Sequence, residues 1–326
     1  MAGISQVSNR DNAYYWKDGD VHTLHDSTDW RNSNATGIVA ANGKLYIAGY
    51  YVTTASGNPV SACYWVVDPE TGEIEKTVTL PKTYASPTTK SIAVDGTTVY
   101  ITGTDSTSSV SYMCYWKDDG TPQQTVLDLE TVQTGAKIDS YYFTGRFAVN
   151  NGNLYIPFRY YTYTTEYEYT SAYWDGSNTH DIVDPSYFVY DAAILNNTVY
   201  MAGSTDMNNG SPFYWAVGNA NPTSLGDDTD TGAAYFIFVQ NGSLRFYGVD
   251  QSGTCYWDAA GNRTSFDYQY NWNNNVVLFA DGDNVLMSYS ANNNNNKGYV
   301  LGGQSVQLYG PNYNGQNLTV TGIAVH

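Results

Sequence analysis

Short apolar segments alternate with turn residues along the whole chain, and one pattern of segments recurs. It is clearest where strand-like segments occupy residues 36–40, 45–49 and 62–67, with Asn42-Gly43 between the first two. Asn-Gly tolerates positive φ at both central positions, which predicts a tight hairpin. No segment shows a sustained helical period with caps. The pattern therefore predicts a repeated antiparallel β-meander with almost no helix.

The second and third segments of the pattern carry its signatures. The second segment reads (Val/Leu)-Tyr-x-(Ala/Thr)-Gly at 45–49, 99–103 and 199–203, and looser copies occupy 154–158, 244–248 and 285–289. The third segment carries a tryptophan in six copies and Tyr299 in a seventh: Trp16, Trp65, Trp116, Trp174, Trp215 and Trp257. A more polar fourth segment follows, as at 75–80. Each copy thus predicts one four-stranded antiparallel sheet.

The two chain ends supply the parts of one further copy. Residues 321–325 match the first segment at 36–40, and residues 1–3 with 13–16 match a second and third segment. Four-stranded sheets repeated radially and latched at the termini are typical of a β-propeller. We therefore predict an all-β fold, a seven-bladed β-propeller of four-stranded antiparallel blades whose last blade is closed by the N- and C-terminal strands. The chain, 1–326, is then a single domain with blades at about 36–88, 89–140, 144–184, 190–228, 233–268 and 275–310, and a split blade from 318–326 and 1–27.

The paired signatures, with (Ala/Cys)-Tyr-Trp-x-x-Gly in the third segment, resemble the repeats of bacterial secreted or surface β-propellers of the Bacteroidetes type. The resemblance covers nearly the whole chain. It implies a propeller fold and export from the cell. Because such proteins are mostly binding modules, it implies recognition more than catalysis.

Charge and hydropathy exclude several kinds of partner. The chain has 31 acidic and 14 basic residues, a net charge of -17, which argues against nucleic acid and anionic membranes. No apolar run approaches the roughly 20 residues that span a bilayer, so we expect no membrane insertion. The first four residues lack the basic and apolar regions of a signal peptide. We expect an extracellular or cell-surface protein whose signal peptide is not part of this chain.

The residues that most often carry catalysis or bind metals do not cluster in the sequence. Cys63, Cys114 and Cys255 each stand two residues before a repeat tryptophan, which predicts small buried side chains rather than disulfides or a zinc site. The four histidines fall at unrelated repeat positions. The segment 226–232 resembles a calcium loop but lacks the EF-hand ligand pattern. We assign no catalytic residue, metal or cofactor.

One rim of the predicted propeller has the features of a binding face. The loops between second and third strands vary in length, with 50–61 and 160–171 long and 250–253 short, and function usually lies on variable loops of a rigid scaffold. Alternating residues at 160–169 predict a long hairpin on this rim. The segments that lead into each first strand are rich in residues that stack on sugars, form protein hot spots or pack between blades. They include Trp30, Arg31, Tyr84, Tyr142, Tyr187, Tyr235, Tyr270, Trp272 and Tyr313.

Three charged residues fall near the starts of the innermost strands. Lys90, Arg146 and Asp191 are predicted to line either a small polar site for an anionic or sugar group or a solvated channel mouth. We therefore expect a non-catalytic extracellular recognition module that binds a glycan or protein ligand on the variable-loop face, with glycans in first place. A scaffold in a larger assembly is the alternative. A glycoside hydrolase or lyase is the second alternative, since many carboxylates are available.

Overall fold

The computed structural model describes residues 2–7, 10–17, 20–24, 28–127, 129, 140–163, 167–182, 187–206, 210–226, 231–265, 278–281, 284–290, 297–301, 304–308 and 318–322. Every regular element in these residues is a β-strand. None of them forms a helix of the length and hydropathy needed to cross a membrane.

Eleven strands fall in the first 126 residues. They are β1 (Ala2–Val7), β2 (Arg10–Lys17), β3 (Asp20–Thr23), β4 (Trp30–Ala41), β5 (Lys44–Thr53), β6 (Val60–Val67), β7 (Ile74–Thr79), β8 (Ser86–Asp95), β9 (Thr98–Ser106), β10 (Ser111–Asp118) and β11 (Gln123–Val126).

The later strands lie between residues 140 and 322. They are β12 (Ser140–Phe143), β13 (Ala148–Asn150), β14 (Asn153–Tyr163), β15 (Tyr167–Trp174), β16 (Thr179–Asp181), β17 (Phe188–Leu195), β18 (Thr198–Ser204), β19 (Pro212–Ala216), β20 (Thr223–Ser224), β21 (Gly232–Gln240), β22 (Ser243–Asp250), β23 (Gly253–Asp258), β24 (Arg263–Ser265), β25 (Leu278–Asp281), β26 (Asn284–Ser290), β27 (Lys297–Leu301), β28 (Gln304–Leu308) and β29 (Leu318–Gly322).

Within the described residues these strands form seven antiparallel sheets. Sheet A has the order β29-β1-β2-β3, so that the two chain ends share a sheet, with Gly3 opposite Val320. Sheets B (β4–β7), C (β8–β11), E (β17–β20), F (β21–β24) and G (β25–β28) are four-stranded meanders of consecutive strands. Sheet D has five strands. Its strand order is β12-β14-β15-β16, and β13 is an additional strand that pairs with β14.

The chain divides into two compact units, residues 1–127 with 272–326 and residues 128–271. The first unit holds sheets A, B, C and G, and the second holds sheets D, E and F. Sheets A, B and C pack successively face to face through the signature residues, and so do sheets D, E and F. Trp65 packs with Tyr15 between sheets A and B, and Trp116 packs with Tyr64 between sheets B and C. In the second unit, Trp257 lies between sheets E and F.

The buried positions agree with the repeat pattern. The rings of Trp65, Trp116 and Trp257 are among the largest fully buried side chains in the described residues. Cys63, Cys114 and Cys255 are buried and are not in disulfides, which confirms the prediction of small core residues. Burial raises the pKa of the Cys114 and Cys255 thiols to about 12.

The hairpin turns also follow the sequence. Asn42, Asn151 and Asn241 have positive φ, as do the glycines that follow them. These turns close the first two strands of their sheets, as predicted.

The signature glycine faces a bulge in the neighbouring first strand. In sheet F the ladder shifts between Ala234 and Phe236, opposite Gly248, and Tyr235 is the extra residue. A Cβ on Gly248 would lie 1.8 Å from the Ala233 carbonyl oxygen, so only glycine fits. Sheets B, C and E have the same bulge, with Thr36, Lys90 and Tyr190 as the extra residues. A bulge changes the direction in which a side chain points. These residues therefore do not follow the ordinary alternation of side chains between the two faces of the sheet.

Sheet D departs from this rule because its second strand does. Pro157 and Phe158 replace the Ala-Gly of the signature, so one backbone donor and the glycine are both missing. The first strand breaks into β12 and β13. Phe143 pairs with Phe158, and Ala148 pairs with Tyr155. The two residues of the first strand are thus five positions apart, whereas their partners are three positions apart. The first strand is therefore two residues longer than the segment that it faces, and residues 144–147 form a short connection that carries Arg146.

Candidate functional site

An arginine and a buried carboxylate join the first strands of sheets D, E and F. The Arg146 Nε donates to both carboxylate oxygens of Asp191, at 3.1 and 3.2 Å, and its Nη2 also pairs with Asp191. The Arg146 backbone N–H donates to Asp191 Oδ1 at 3.1 Å. A two-pronged contact of this kind fixes a guanidinium in one orientation. Arg146 and Asp191, both predicted as site residues, are thus brought together.

Asp191 also holds the neighbouring sheet. Its side chain is only 1% exposed, and its Oδ2 accepts the backbone N–H of Ile237 at 3.0 Å. Arg146 Nη2 donates to the Ile237 carbonyl at 2.8 Å. The carboxylate therefore has charged and neutral donors from two other first strands, which offsets the cost of burying it.

The remaining part of the Arg146 guanidinium faces outward. Its Cζ lies 4.1 Å from the centre of the Phe238 ring, so one face is covered by a cation–π contact. The side chain is nevertheless 40% exposed. Within the part of the chain that the structure describes, its Nη1 donates no hydrogen bond. The arginine thus presents one pair of N–H donors on a group that is already held in place.

Two tyrosines lie at the bulges of the same unit. The rings of Tyr190 and Tyr235, the extra residues of sheets E and F, lie 4.9 Å apart at 57°. The Arg159 guanidinium lies 5.4 Å from the Tyr190 ring centre and 4.7 Å from that of Phe188. We call Arg146, Arg159, Tyr190, Asp191 and Tyr235 the Arg–Tyr cluster.

Backbone packing holds the cluster together. Gly145 lies against Tyr190, and a Cβ there would stand 1.8 Å from the Tyr190 carbonyl oxygen. A larger residue would push the 144–147 connection, and with it Arg146, away from Tyr190. Burial raises the pKa of the Tyr190 phenol, the charge of Arg159 lowers it and that of Asp206 raises it again. Tyr190 therefore stays a neutral hydroxyl at physiological pH.

The other residues predicted for the second unit are placed differently. Tyr187 packs its ring 4.9 Å from Phe213, against the core between sheets D and E. Tyr142 lies in β12, and its side chain is outside the described residues, as are Tyr270, Trp272 and Tyr313.

In the first unit, the predicted aromatic residues mostly pack within their own sheets. Trp30 is 8% exposed, and its ring stacks on Tyr51 at 4.0 Å, so it belongs to the core and has almost no surface for a ligand. The reason is that β4 begins at Trp30, well before the predicted start at 36, and pairs this residue with Thr53. Tyr84 stacks on Tyr112 at 4.5 Å.

The two charged residues predicted there are exposed. Arg31 donates to the side chain of Asn58 at 3.3 Å. Lys90 is the bulge residue of sheet C, which belongs to the first unit, whereas Arg146 and Asp191 belong to the second.

Sequence reasoning missed Arg159 and Phe238. A usable signal was present for Arg159, because it follows a copy of the second segment whose glycine is replaced, by Phe158. Phe238 had no such signal, since it reads as an ordinary strand residue. Among the described residues, no group of three or more His, Cys, Asp or Glu side chains could hold a metal ion.

Comparisons with known proteins bear on the fold. No protein-family model matches the chain, and no curated protein matches it. A puromycin-hydrolysing peptidase of Mycobacterium tuberculosis is similar in structure, with a TM-score of 0.56 and 11% identity over 95% of this chain and 52% of that chain. The fold is β-propeller-like. The repeated four-stranded meanders, packed face to face, are also typical of a β-propeller.

Two further structures match less closely. Trypanosoma rangeli sialidase with the inhibitor DANA has a TM-score of 0.47 and 10% identity, covering 82% of this chain and 53% of that chain. The β-propeller domain of the trilobed protease from Pyrococcus furiosus has a TM-score of 0.41 and 10% identity, covering 79% and 87%. The chain spans about half the length of the first solved structures that it matches. At these identities the likeness concerns the fold alone.

Proposed function

We propose that this chain is a non-catalytic glycan-recognition module that works outside the cell, and that the Arg–Tyr cluster is its binding surface. The observation that carries the proposal is the position of the Tyr190–Tyr235 ring pair in one cluster with a guanidinium fixed by a buried carboxylate.

The proposed scaffold is a seven-bladed propeller closed by sheet A. Seven sheets among the described residues and the pairing of β29 with β1 support this count. Latching the ends in one sheet leaves few free edges, which suits a rigid body that displays short loops. Export is proposed from the resemblance of the repeats to those of bacterial secreted propellers.

The cluster has the two kinds of group that sugar recognition needs. Tyrosine rings offer flat apolar area against the C–H face of a pyranose, together with a hydroxyl that bonds to water or ligand. The Arg146 Nη1 adds two N–H donors for sugar oxygens. Arg146, Tyr190 and Tyr235 lie at the strand break of sheet D and the bulges of sheets E and F, so a rigid β-framework positions them. Little entropy is then lost when a ligand binds.

A glycan array tests the proposal with the wild-type protein, Tyr235→Ala and a matched control, Tyr256→Ala. Tyr256 is also a half-buried tyrosine of sheet F with a neighbouring tyrosine and arginine, Tyr247 at 5.5 Å and Arg245 at 5.1 Å, but it lies outside the cluster. We expect wild type to bind at least one glycan, and Tyr235→Ala to bind it about tenfold more weakly, as for the loss of a hot-spot ring.

The control should bind as wild type does, with all three proteins giving the same circular dichroism spectrum. Absence of glycan binding by the wild type contradicts the proposal. Equal losses in both variants contradict the assignment of the surface.

A further inference from the structure

We infer that the Arg–Tyr cluster selects uncharged sugars, through hydrogen bonds to hydroxyl oxygens, and disfavours acidic glycans. This inference rests on the proposed function and adds the class of ligand to it.

Positive and negative groups lie together in the Arg–Tyr cluster. Arg146 is paired with Asp191, whose carboxylate is buried directly behind it. Arg159 and Asp206 both act electrostatically on Tyr190, with opposite signs. Among the described residues, the charges that act on Tyr190 thus have both signs, and the positive charge of Arg146 is offset by Asp191. A bound anion would meet little net positive potential in exchange for the water that it gives up.

The charge of the whole chain also disfavours acidic glycans. A net charge of -17 repels anionic polymers at long range, so an acidic glycan would need a concentrated basic patch to overcome it. Within the described residues of sheets D, E and F, Arg146 is already paired with a carboxylate, and the Arg159 guanidinium lies over the Phe188 and Tyr190 rings.

The geometry of the Arg146 donors favours neutral oxygens. The Nε and Nη2 edge of Arg146 is occupied by Asp191 and the Ile237 carbonyl, and one face is covered by Phe238. The two N–H bonds of Nη1 remain, in a plane that the salt bridge fixes. Two neutral oxygens, such as those of neighbouring sugar hydroxyls, satisfy both donors without adding a charge. A two-pronged contact with a carboxylate uses either the Nε and Nη2 edge, which Asp191 takes, or the Nη1 and Nη2 edge, where Nη2 already donates to the Ile237 carbonyl.

Matched pairs of polysaccharides test the inference with the intact chain. Dextran is compared with dextran sulfate, and methyl-esterified pectin with polygalacturonate, alongside xylan and galactomannan as further neutral probes. Binding is measured at 50 and 500 mM NaCl, concentrations chosen to differ strongly in screening length. We expect a neutral polysaccharide to bind, with a dissociation constant that changes less than about twofold with salt. The acidic member of each pair should bind at least about tenfold more weakly.

The outcomes separate the two claims. Tighter binding of an acidic member, or binding that weakens steeply with salt, overturns this inference and leaves glycan recognition intact. Failure to bind any polysaccharide overturns the inference and the proposed function together.

Arg146→Lys provides the second readout, with Arg245→Lys as its control. Lysine keeps the charge but loses the planar donor fork, so Arg146→Lys should weaken binding of the neutral polysaccharide about tenfold, and Arg245→Lys should not change it. Unchanged affinity in Arg146→Lys would mean that positive charge, not the donor geometry, holds the ligand.

Discussion

Replacing Asp191 by alanine is expected to lower the free energy of unfolding by about 3 kcal/mol, within the range for removing one partner of a buried ion pair. The change leaves the Arg146 guanidinium and the backbone N–H groups of Arg146 and Ile237 without their acceptor. Unpaired buried donors carry their full desolvation cost. The value lies at the low end of the range because Arg146 is 40% exposed and water can reach it.

Chemical denaturation of the variant and of Asp119→Ala measures this effect. Asp119 is also an ion-pair partner, of Lys117 at 3.3 Å, but both side chains are about half exposed. Its removal should cost less than about 1 kcal/mol. Similar losses in the two variants would show that Asp191 does not bind the three sheets together.

Gly248→Ala is expected to cost about 3 kcal/mol, at the upper end of the range for overpacking. The new Cβ would stand 1.8 Å from the Ala233 carbonyl oxygen and 3.0 Å from the Ala234 Cα. Both atoms belong to the backbone, so no side-chain rotation relieves the contact. The bulge at Tyr235 would have to move, which makes this a test of the pairing between signature glycine and bulge.

Gly242→Ala is the matched control for this prediction. Gly242 lies in the preceding turn of the same hairpin with φ of 72°, and a Cβ there meets nothing within 4 Å. Only the left-handed backbone opposes alanine at this position, at a cost of about 1–2 kcal/mol. Thermal and chemical denaturation should therefore rank Gly248→Ala as the less stable variant, and the reverse order would contradict the steric explanation.

The repeating parts of the fold can be predicted from the sequence because they depend on the chemistry of neighbouring residues. Asn42-Gly43 and Asn241-Gly242 specify their turns through φ, and the tryptophans mark the strands that pack between sheets. The match between residues 321–325 and 36–40 also predicts that β29 and β1 share a sheet.

The candidate site is harder to predict from the sequence because it depends on contacts between sheets. The sequence places Arg146 and Asp191 near the starts of two first strands, but their pairing requires the register of sheet D against sheet E. That register depends on the strand break opposite Pro157 and Phe158, which no local rule for the repeat describes. Trp30 shows the opposite case, since an aromatic residue before the predicted strand proved to be part of it.

The most direct test of the account is a crystal structure of the protein with a neutral oligosaccharide chosen from the array. The account predicts a pyranose ring against Tyr190 and Tyr235, with sugar hydroxyls accepting hydrogen bonds from Arg146 Nη1. A sugar ordered elsewhere on the molecule, with these three side chains in contact only with solvent, would contradict it.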